Sequence, residues 1–160
     1  MSDVTIRPFR AEDTGWLVDA HRRHYARAEG FDATFGDLVQ SILDAFVAGH
    51  DPERERGWIA ERRGRPLGSI FCVAAGGTTA KLRLFLLIPE ARGTGLGKRL
   101  LATCMAFARQ AGYRDMQLWT HESHTAACAL YAATGWRLEH SRAAHSFGQD
   151  VVEQHWRIAR

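Results

Sequence analysis

The feature that most constrains the fold is a glycine-rich segment between an apolar run and an amphipathic pattern. Residues 80–88 favour a strand, which Pro89 ends. The sequence Arg92-Gly-Thr-Gly-Leu-Gly97 follows. Apolar side chains then recur every three or four positions up to Gly112, which predicts a helix with these residues on its buried face: Leu96, Leu100, Cys104, Phe107 and Ala111. The glycines therefore lie in a loop between a strand and the N-terminus of a helix.

This glycine loop, residues 92–97, suits an anionic ligand. The first N–H groups of a helix lack intrahelical partners, and the helix dipole adds partial positive charge at the same end. Glycines keep side chains away from those N–H groups. Arg92, Lys98 and Arg99 add positive charge nearby. The loop is therefore predicted to bind a pyrophosphate.

The glycine loop has three alternative interpretations. A P-loop needs a hydroxyl residue after its lysine, but Arg99 follows Lys98. A Rossmann loop has glycine where Lys98 stands, although Asp115 has the spacing of its ribose-binding acid. A Rossmann fold also usually begins with this unit, whereas two helices and several strands are predicted before it. A turn that binds no ligand is the third alternative.

The remaining elements follow from periodicity and turn residues. Strands are predicted at 4–8, 58–62, 67–74, 115–121, 136–140 and 151–158, and helices at 11–28, 34–48 and 125–134. The order β-α-α-β-β-β-α-β-α-β-β predicts an α/β (α+β) fold, a mixed sheet with helices on both faces. A length of 160 residues, 46% of them hydrophobic, fits one domain over residues 1–160.

Composition narrows the classes of partner and location. The formal net charge is +3 and the pI about 9.0, but basic residues are spread along the chain, so no direct nucleic-acid binding is expected. No apolar run approaches the roughly 20 residues of a membrane span, and no secretory signal begins the chain. The separated Cys72, Cys104 and Cys128 indicate reduced core residues in a cytoplasmic protein.

Several motifs resemble the Gcn5-related N-acetyltransferases (GNAT). Arg92-x-x-Gly95-x-Gly97 is similar to the family's [QR]-x-x-G-x-[GA] motif, and Leu130-Tyr131-x-x-x-Gly135-Trp136 to its L-Y-x-x-x-G-F segment. The start Ile6-Arg7-Pro8 is also similar. The resemblance covers nearly the whole chain and implies a mixed central sheet of about seven strands flanked by four helices.

Shorter segments resemble the acetyltransferase half of fusions between MarR-type regulators and such a domain. These segments are Ala80-Lys-Leu-Arg-Leu, Trp119-Thr and His145-Ser-Phe-Gly-Gln-Asp. This chain is too short to include a winged helix as well as the acetyltransferase domain.

The resemblance implies acetyl-CoA as cosubstrate. Its pantetheine arm would pair with the backbone of Phe85, Leu86 and Leu87, and a backbone N–H near Leu87 would polarise the thioester carbonyl. His124 and Tyr131 would also contact it. The residues expected around the pyrophosphate are Arg92, Gly93, Thr94, Gly95, Leu96, Gly97 and Lys98.

Catalytic roles follow from the same resemblance. Tyr131 matches the family tyrosine that protonates the leaving thiolate; the alternative is a core aromatic ring. Trp119 stands where the family often has a catalytic carboxylate, and His124 replaces a common asparagine. Glu122 and His124 are therefore the candidate bases, with His121 beside them. The alternatives are that they are solvated loop residues, or that no dedicated base is needed.

Other clusters indicate less specific roles. Two histidine pairs, His21-x-x-His24 and His121-x-x-His124, give too few ligands for zinc, so no metal is expected. Glu29, Asp32 and Asp37 could meet a cationic amine; the alternative is that each is a solvated surface residue. Four aromatic residues are candidates either for an acceptor pocket or for the core: Trp16, Tyr25, Phe31 and Phe35.

The sequence therefore predicts an enzyme that transfers an acetyl group directly from acetyl-CoA to an amine within a ternary complex. Dimers are common in the family, so a homodimer is possible. One alternative is a non-catalytic acyl-CoA sensor associated with a transcription regulator. Another is a nucleotide-binding module that uses a different pyrophosphate.

Overall fold

The computed structural model describes residues 3–159, in which seven strands and four helices follow the predicted order. The strands are β1 (Val4–Pro8), β2 (Arg56–Arg62), β3 (Arg65–Gly76), β4 (Thr79–Leu87), β5 (Asp115–His121), β6 (Arg137–Ser146) and β7 (Gln149–Ala159). The helices are α1 (Thr14–Glu29), α2 (Ala33–Gly49), α3 (Leu96–Gln110) and α4 (Thr125–Ala133). Short 3-10 turns occupy Ala11–Asp13 and Pro89–Ala91.

The strands form one mixed sheet in the order β1-β2-β3-β4-β5-β7-β6. The pairs are antiparallel except β4–β5, which is parallel and joins only Thr79–Lys81 to Asp115–Gln117. Beyond that point β4 and β5 separate. Residues 82–87 of β4, here called the open edge, therefore have backbone groups facing a gap in the sheet.

A bulge shapes the open edge. Ser69 of β3 pairs with Leu86 and Phe71 with Arg83, so three β4 steps oppose two β3 steps. Leu84 within the bulge has φ +53°, and its carbonyl accepts a 2.6 Å hydrogen bond from the buried Ser69 hydroxyl. A bulge bends a strand and increases its twist. This one lies where β4 turns away from β5.

Each face of the sheet has its own core, as predicted. The α3 and α4 face buries Leu82, Leu100, Cys104, Met116 and Trp156 among others. The α1 and α2 face buries Leu17, Val39, Leu43, Ile59 and Phe71. At roughly 1.5–3 kcal/mol for each large side chain removed from water, these two cores dominate the stability of the fold.

Two predicted boundaries were wrong by three residues or more. The first helix begins at Thr14 instead of Ala11, because residues 11–13 form a 3-10 turn in which Asp13 accepts hydrogen bonds from the Arg7 guanidinium and the Arg10 N–H. The turn after the β4 strand is also 3-10. The strand predicted at 136–140 continues to Ser146, because its exposed residues pair through their backbone with β7.

The cysteines and membrane segments can be compared directly with their predictions. Cys72 and Cys104 are buried and Cys128 is half-buried, all three unbridged. Within residues 3–159, no helix is long and apolar enough to cross a membrane. In the same range, no group of three or more His, Cys, Asp or Glu side chains is arranged to hold a metal ion.

Candidate active site

The glycine loop adopts a conformation that requires glycine at two positions. Gly93 has φ +73° and Gly95 has φ +81°, and a Cβ built at either position would meet no atom within 4 Å. Between them, the Thr94 hydroxyl donates to the Ala91 carbonyl at 2.5 Å and accepts from the Leu96 N–H at 3.4 Å. The space around Gly93 and Gly95 is therefore free for a ligand to approach the backbone.

The start of α3 presents backbone donors to that space. Its first intrahelical bond runs from the Arg99 N–H to the Gly95 carbonyl, 3.1 Å. The N–H groups of Gly97 and Lys98 precede that bond and have no intrahelical acceptor. A Cβ on Gly97 would lie 3.2 Å from Leu87, so this glycine lets the helix start approach the open edge closely.

Arg92 reaches away from the loop toward α1. Its Nη2 lies 3.0 Å from His24 Nε2, and a neutral imidazole accepts that hydrogen bond. Burial, and then the Arg92 charge, lowers the pKa of His24 below its usual value. Arg92 thus links the loop to α1, a contact that the sequence did not predict, while Lys98 and Arg99 are exposed beside the helix start.

Tyr131 is a buried ring beside the open edge. It is 3% exposed and its ring centroid lies 6.3 Å from Phe85, 5.7 Å from Trp136 and 6.0 Å from Trp156. Burial, with nearby Tyr25 and Cys128, raises the pKa of Tyr131 well above its usual value. The hydroxyl therefore stays protonated and can act as a hydrogen-bond donor at any physiological pH.

His124 and Glu122 lie at the start of α4 in different surroundings. His124 Nδ1 is 3.0 Å from the Thr120 hydroxyl, and its Nε2 is 3.6 Å from Glu29 Oε1. Burial, and then the charges of His121, His24 and Arg92, lowers the pKa of His124 to about 4, so the ring is neutral near pH 7. Glu122 is exposed, with its backbone N–H bonded to Val152.

An aromatic cluster separates α1 from the β6–β7 turn. Tyr25, Phe31 and Phe35 are in mutual contact, with ring centroids 4.8–5.9 Å apart. Phe147, at the tip of that turn, packs 5.0 Å from both phenylalanines. Trp16, which the sequence grouped with this cluster, packs against the α1 and α2 core instead, because it lies nine residues, or about two and a half helical turns, before Tyr25.

A cleft opens next to the aromatic cluster. Its volume is about 390 Å³. This acidic cleft is lined by Glu29, Phe31, Glu122, Ser123, Ala143, Gln149, Asp150, Val151 and Val152. It brings together the end of α1, the start of α4 and the β6–β7 hairpin.

The structure thus brings the residues predicted to contact the cofactor together around one gap. The glycine loop, the open edge with Phe85–Leu87, and Tyr131 surround the end of β4. Glu122 lines the acidic cleft, whereas His124 lies against Glu29, which also lines it. Sequence reasoning missed the contribution of Phe147 and the pairing of Glu29 with His124. No local signal could reveal them, because these residues meet only through the tertiary fold.

Solved structures described as acetyltransferases share this fold. Ribosomal-protein-alanine N-acetyltransferase of Brucella melitensis superposes with a TM-score of 0.78 at 17% identity, covering 98% of this chain and 99% of that one. The yncA protein of Salmonella typhimurium, described with its cofactor acetyl-CoA, gives 0.77 at 16% identity over 99% and 94%.

The family assignment comes from sequence comparison. Residues 15–136 match the model of the Acetyltransferase (GNAT) family, and the chain belongs to that family. The mycothiol acetyltransferase of Nocardia farcinica is 28% identical over 159 residues, which cover 95% of this chain and 50% of the relative. That of Thermobispora bispora is 33% identical over 137 residues, or 82% and 44%.

The chain spans about half the length of the curated relatives that it matches. The predicted family and fold are confirmed.

Proposed function

We propose that the chain is an acetyl-CoA-dependent N-acetyltransferase that moves the acetyl group directly to an amine within a ternary complex. The observation that carries this proposal is the open edge of β4 lying directly beside the uncapped start of α3. An extended arm pairs with a free strand edge, and a pyrophosphate suits a helix start. Few ligands carry both parts, and acetyl-CoA is one.

The glycine loop would hold the pyrophosphate of this cosubstrate. Gly93, Thr94 and Gly95 offer open backbone, and the N–H groups of Gly97 and Lys98 point out of the helix end. Lys98 and Arg92 add positive charge. Arg92 would contact the pyrophosphate either after leaving His24 or while its Nη2 stays bonded to His24. Phe85, Leu86 and Leu87 would pair with the pantetheine arm, since β5 leaves their edge free.

Tyr131 is proposed to stabilise the departing sulfur. A thiol has an ordinary pKa near 8.5, whereas the pKa of Tyr131 is raised well above 10. Complete proton transfer from Tyr131 to a thiolate would therefore be uphill. We assign the hydroxyl as a hydrogen-bond donor to the developing negative charge, which refines the proton-donor role suggested by the motif.

The amine would approach from the acidic cleft, which is lined by Glu122, one of the two predicted acid–base residues. The other, His124, reaches this cleft through its contact with Glu29. Glu122 is exposed at the rim of this cleft and can exchange protons with solvent. His124 is neutral near pH 7, because its pKa is lowered to about 4. Any base role of His124 would therefore act through Glu29, whereas Glu122 meets the acceptor directly in the cleft.

The direct test is a panel of amines assayed by release of the free CoA thiol. Thiol release that depends on both acetyl-CoA and an amine, with the acetyl group recovered on the amine, supports the proposal. CoA should also stabilise the fold by about 2.7 kcal/mol at a hundredfold excess over Kd. A folded protein that binds no CoA species would remove the cosubstrate from the proposal.

The alternative is a non-catalytic acyl-CoA sensor associated with a transcription regulator. One observation favours it. Thr120 and Glu29 face the two nitrogens of His124, and Nε2 is covered from solvent, so neither nitrogen is free to take a proton from an acceptor. Such a protein would bind CoA in the same experiment but would release no thiol with any amine. The MarR-type resemblance, the homodimer, the cytoplasmic location and the lack of direct nucleic-acid binding stay predictions.

A further inference from the structure

We infer that Glu29 receives the amine of the acceptor and takes its proton, with His124 behind it as a positioning residue. The inference rests on the proposed acetyl transfer and names a residue outside every motif of the sequence. Glu29 is the last residue of α1, and only the fold brings it to the start of α4.

The contact between Glu29 and His124 is protected from solvent. Their side chains are 16% and 18% exposed, and Glu29 Oε1 lies 3.6 Å from His124 Nε2. Nε2 is completely covered and has no hydrogen-bond partner among the described residues. His124 therefore presents no accessible nitrogen to the acidic cleft, whereas Glu29 lines it.

The partners of the imidazole decide which of its nitrogens carries the proton. The ring is neutral near pH 7 and so carries one N–H. A bare Nε2 lone pair facing the carboxylate of Glu29 would be repulsive, whereas an Nε2–H facing it is attractive. The Thr120 hydroxyl, 3.0 Å away, can donate to the remaining lone pair on Nδ1. His124 thus orients Glu29, and Glu29 is the group that faces the acceptor.

The charge around Glu29 indicates the class of acceptor. The whole chain has a net charge of +3, but the acidic cleft is lined by Glu29, Glu122 and Asp150, and none of its lining residues is Lys or Arg. Carboxylates concentrated in a cleft favour a cation. Phe31 supplies an apolar wall beside Glu29. This arrangement suits a primary aliphatic ammonium with a short hydrocarbon segment.

Glu29 is also placed near the proposed leaving-group residue. Tyr25 is close to both: its ring is 4.9 Å from that of His124, which contacts Glu29, and after burial its proximity raises the pKa of Tyr131. A nitrogen delivered from Glu29 and a sulfur beside Tyr131 would therefore meet next to Tyr25. Direct transfer requires this closeness, because both atoms are bonded to the same carbonyl carbon in the transition state.

The protons and electron pairs balance in this scheme. The ammonium gives one proton to the Glu29 carboxylate, which releases it to solvent through the cleft. The freed lone pair forms the bond to the acetyl carbon, and the carbon–sulfur bond breaks with its electrons going to sulfur. The nitrogen gives its second proton to that sulfur, directly or through water, beside the Tyr131 hydroxyl. The products are an amide, the CoA thiol and one proton in solution.

The test compares a charged acceptor with a neutral one in Glu29→Gln. Ethylamine is a cation at neutral pH, since alkyl ammonium groups have pKa values near 10.4, whereas hydroxylamine is neutral there. We expect kcat/KM to fall by about 10²-fold for ethylamine, the lower end for a lost general base. The fall for hydroxylamine should be at least tenfold smaller, and Kd for CoA should not change.

Two further variants separate this role from a structural one. Glu29→Asp keeps the charge and should recover part of the ethylamine activity. Glu53→Gln, in the exposed loop after α2, is the matched control and should leave the ratio between the two acceptors unchanged. An active wild-type protein whose Glu29→Gln variant keeps that ratio overturns the assignment of Glu29. A wild-type protein inert toward every amine overturns the proposed function and this assignment with it.

Discussion

Helix α3 starts beside the open edge of β4 and α4 places Tyr131 beside the same edge, but the two helix starts are built in opposite ways. The start of α3 presents mainly backbone groups: its N-cap residue Gly95 is in the left-handed region at φ +81° and has no side chain, and the Thr94 hydroxyl accepts only from the Leu96 N–H, at 3.4 Å. The start of α4 is side chain: the His124 imidazole is buried against Thr120 and Glu29, and Tyr131 follows within the same helix. We assign binding to the first and chemistry to the second.

The two helix starts also differ in charge. Lys98 and Arg99 lie in the first turn of α3, where cations oppose the helix dipole. Cations at a helix N-terminus are locally unfavourable, and such unfavourable features are expected at functional sites. A bound pyrophosphate would reverse the penalty by supplying negative charge. The first turn of α4 carries no charged residue. The polar groups at this helix start are therefore His124 and its partners Thr120 and Glu29.

The largest expected effect is a loss of acetyl-transfer rate when the Tyr131 hydroxyl, on α4, is removed. Tyr131→Phe keeps the ring between Phe85 and Trp136 and removes only the hydroxyl. Loss of one donor to a developing negative charge should lower the single-turnover rate by about 10²–10³-fold. KM for acetyl-CoA should be nearly unchanged, because the lost interaction belongs to the transition state.

Tyr113→Phe is the control for that prediction. Tyr113 is as buried as Tyr131, and its hydroxyl donates a 2.6 Å hydrogen bond to the Arg54 carbonyl, away from the glycine loop. Its loss should cost about 1 kcal/mol of stability and leave the rate intact. If Tyr131→Phe behaves like Tyr113→Phe, Tyr131 is only a core ring.

The next effect is on binding at α3. Gly95→Val would place a branched side chain over the helix start, in a conformation that a β-branched residue rarely adopts. Losing one or two charge-assisted hydrogen bonds, at about 1.5–3 kcal/mol each, should raise Kd for CoA by at least about tenfold. Isothermal titration with CoA measures this change.

Gly112→Val supplies the matched control for the same backbone strain. Gly112 has φ +90°, no atom within 4 Å of a built Cβ, and a position at the opposite end of α3. Both variants should lose stability through strain, but only Gly95→Val should lose affinity for CoA. Equal affinities in the two variants would show that the glycine loop is an ordinary turn.

The contrast between backbone groups at the start of α3 and side chains at the start of α4 explains which parts of the site the sequence could predict. The glycine loop was found because its residues are contiguous, and a backbone site of this kind has a fixed spacing of glycines before a helix. The element order followed from periodicity, since each core face alternates regularly along its strand or helix. Gly97 was assigned to the ligand, whereas the structure shows that its missing side chain also lets α3 approach Leu87.

The part of the site that side chains form, around α4, was harder to predict. Tyr131 and His124 were found through a motif, but their partners are far away in sequence: Glu29 ends α1, and Phe147 lies in the β6–β7 turn. The pKa of His124 depends on burial and on neighbours from three elements, which no local pattern encodes. Polar residues of β6 form a strand only because β7 pairs with them.

The smallest effect concerns the start of α2, which is neither a binding nor a chemical element. Asp32 caps this helix by accepting from the Thr34 N–H at 3.0 Å and from the Thr34 hydroxyl. Asp32→Ala should lower the free energy of unfolding by about 1 kcal/mol, the usual value of an N-cap, while Asp32→Asn should keep most of it. Chemical denaturation of the three proteins measures the difference. Kd for CoA should be the same in all three, because this helix start satisfies its own donors; a weakened Kd would mean that the capped start and the open start are coupled.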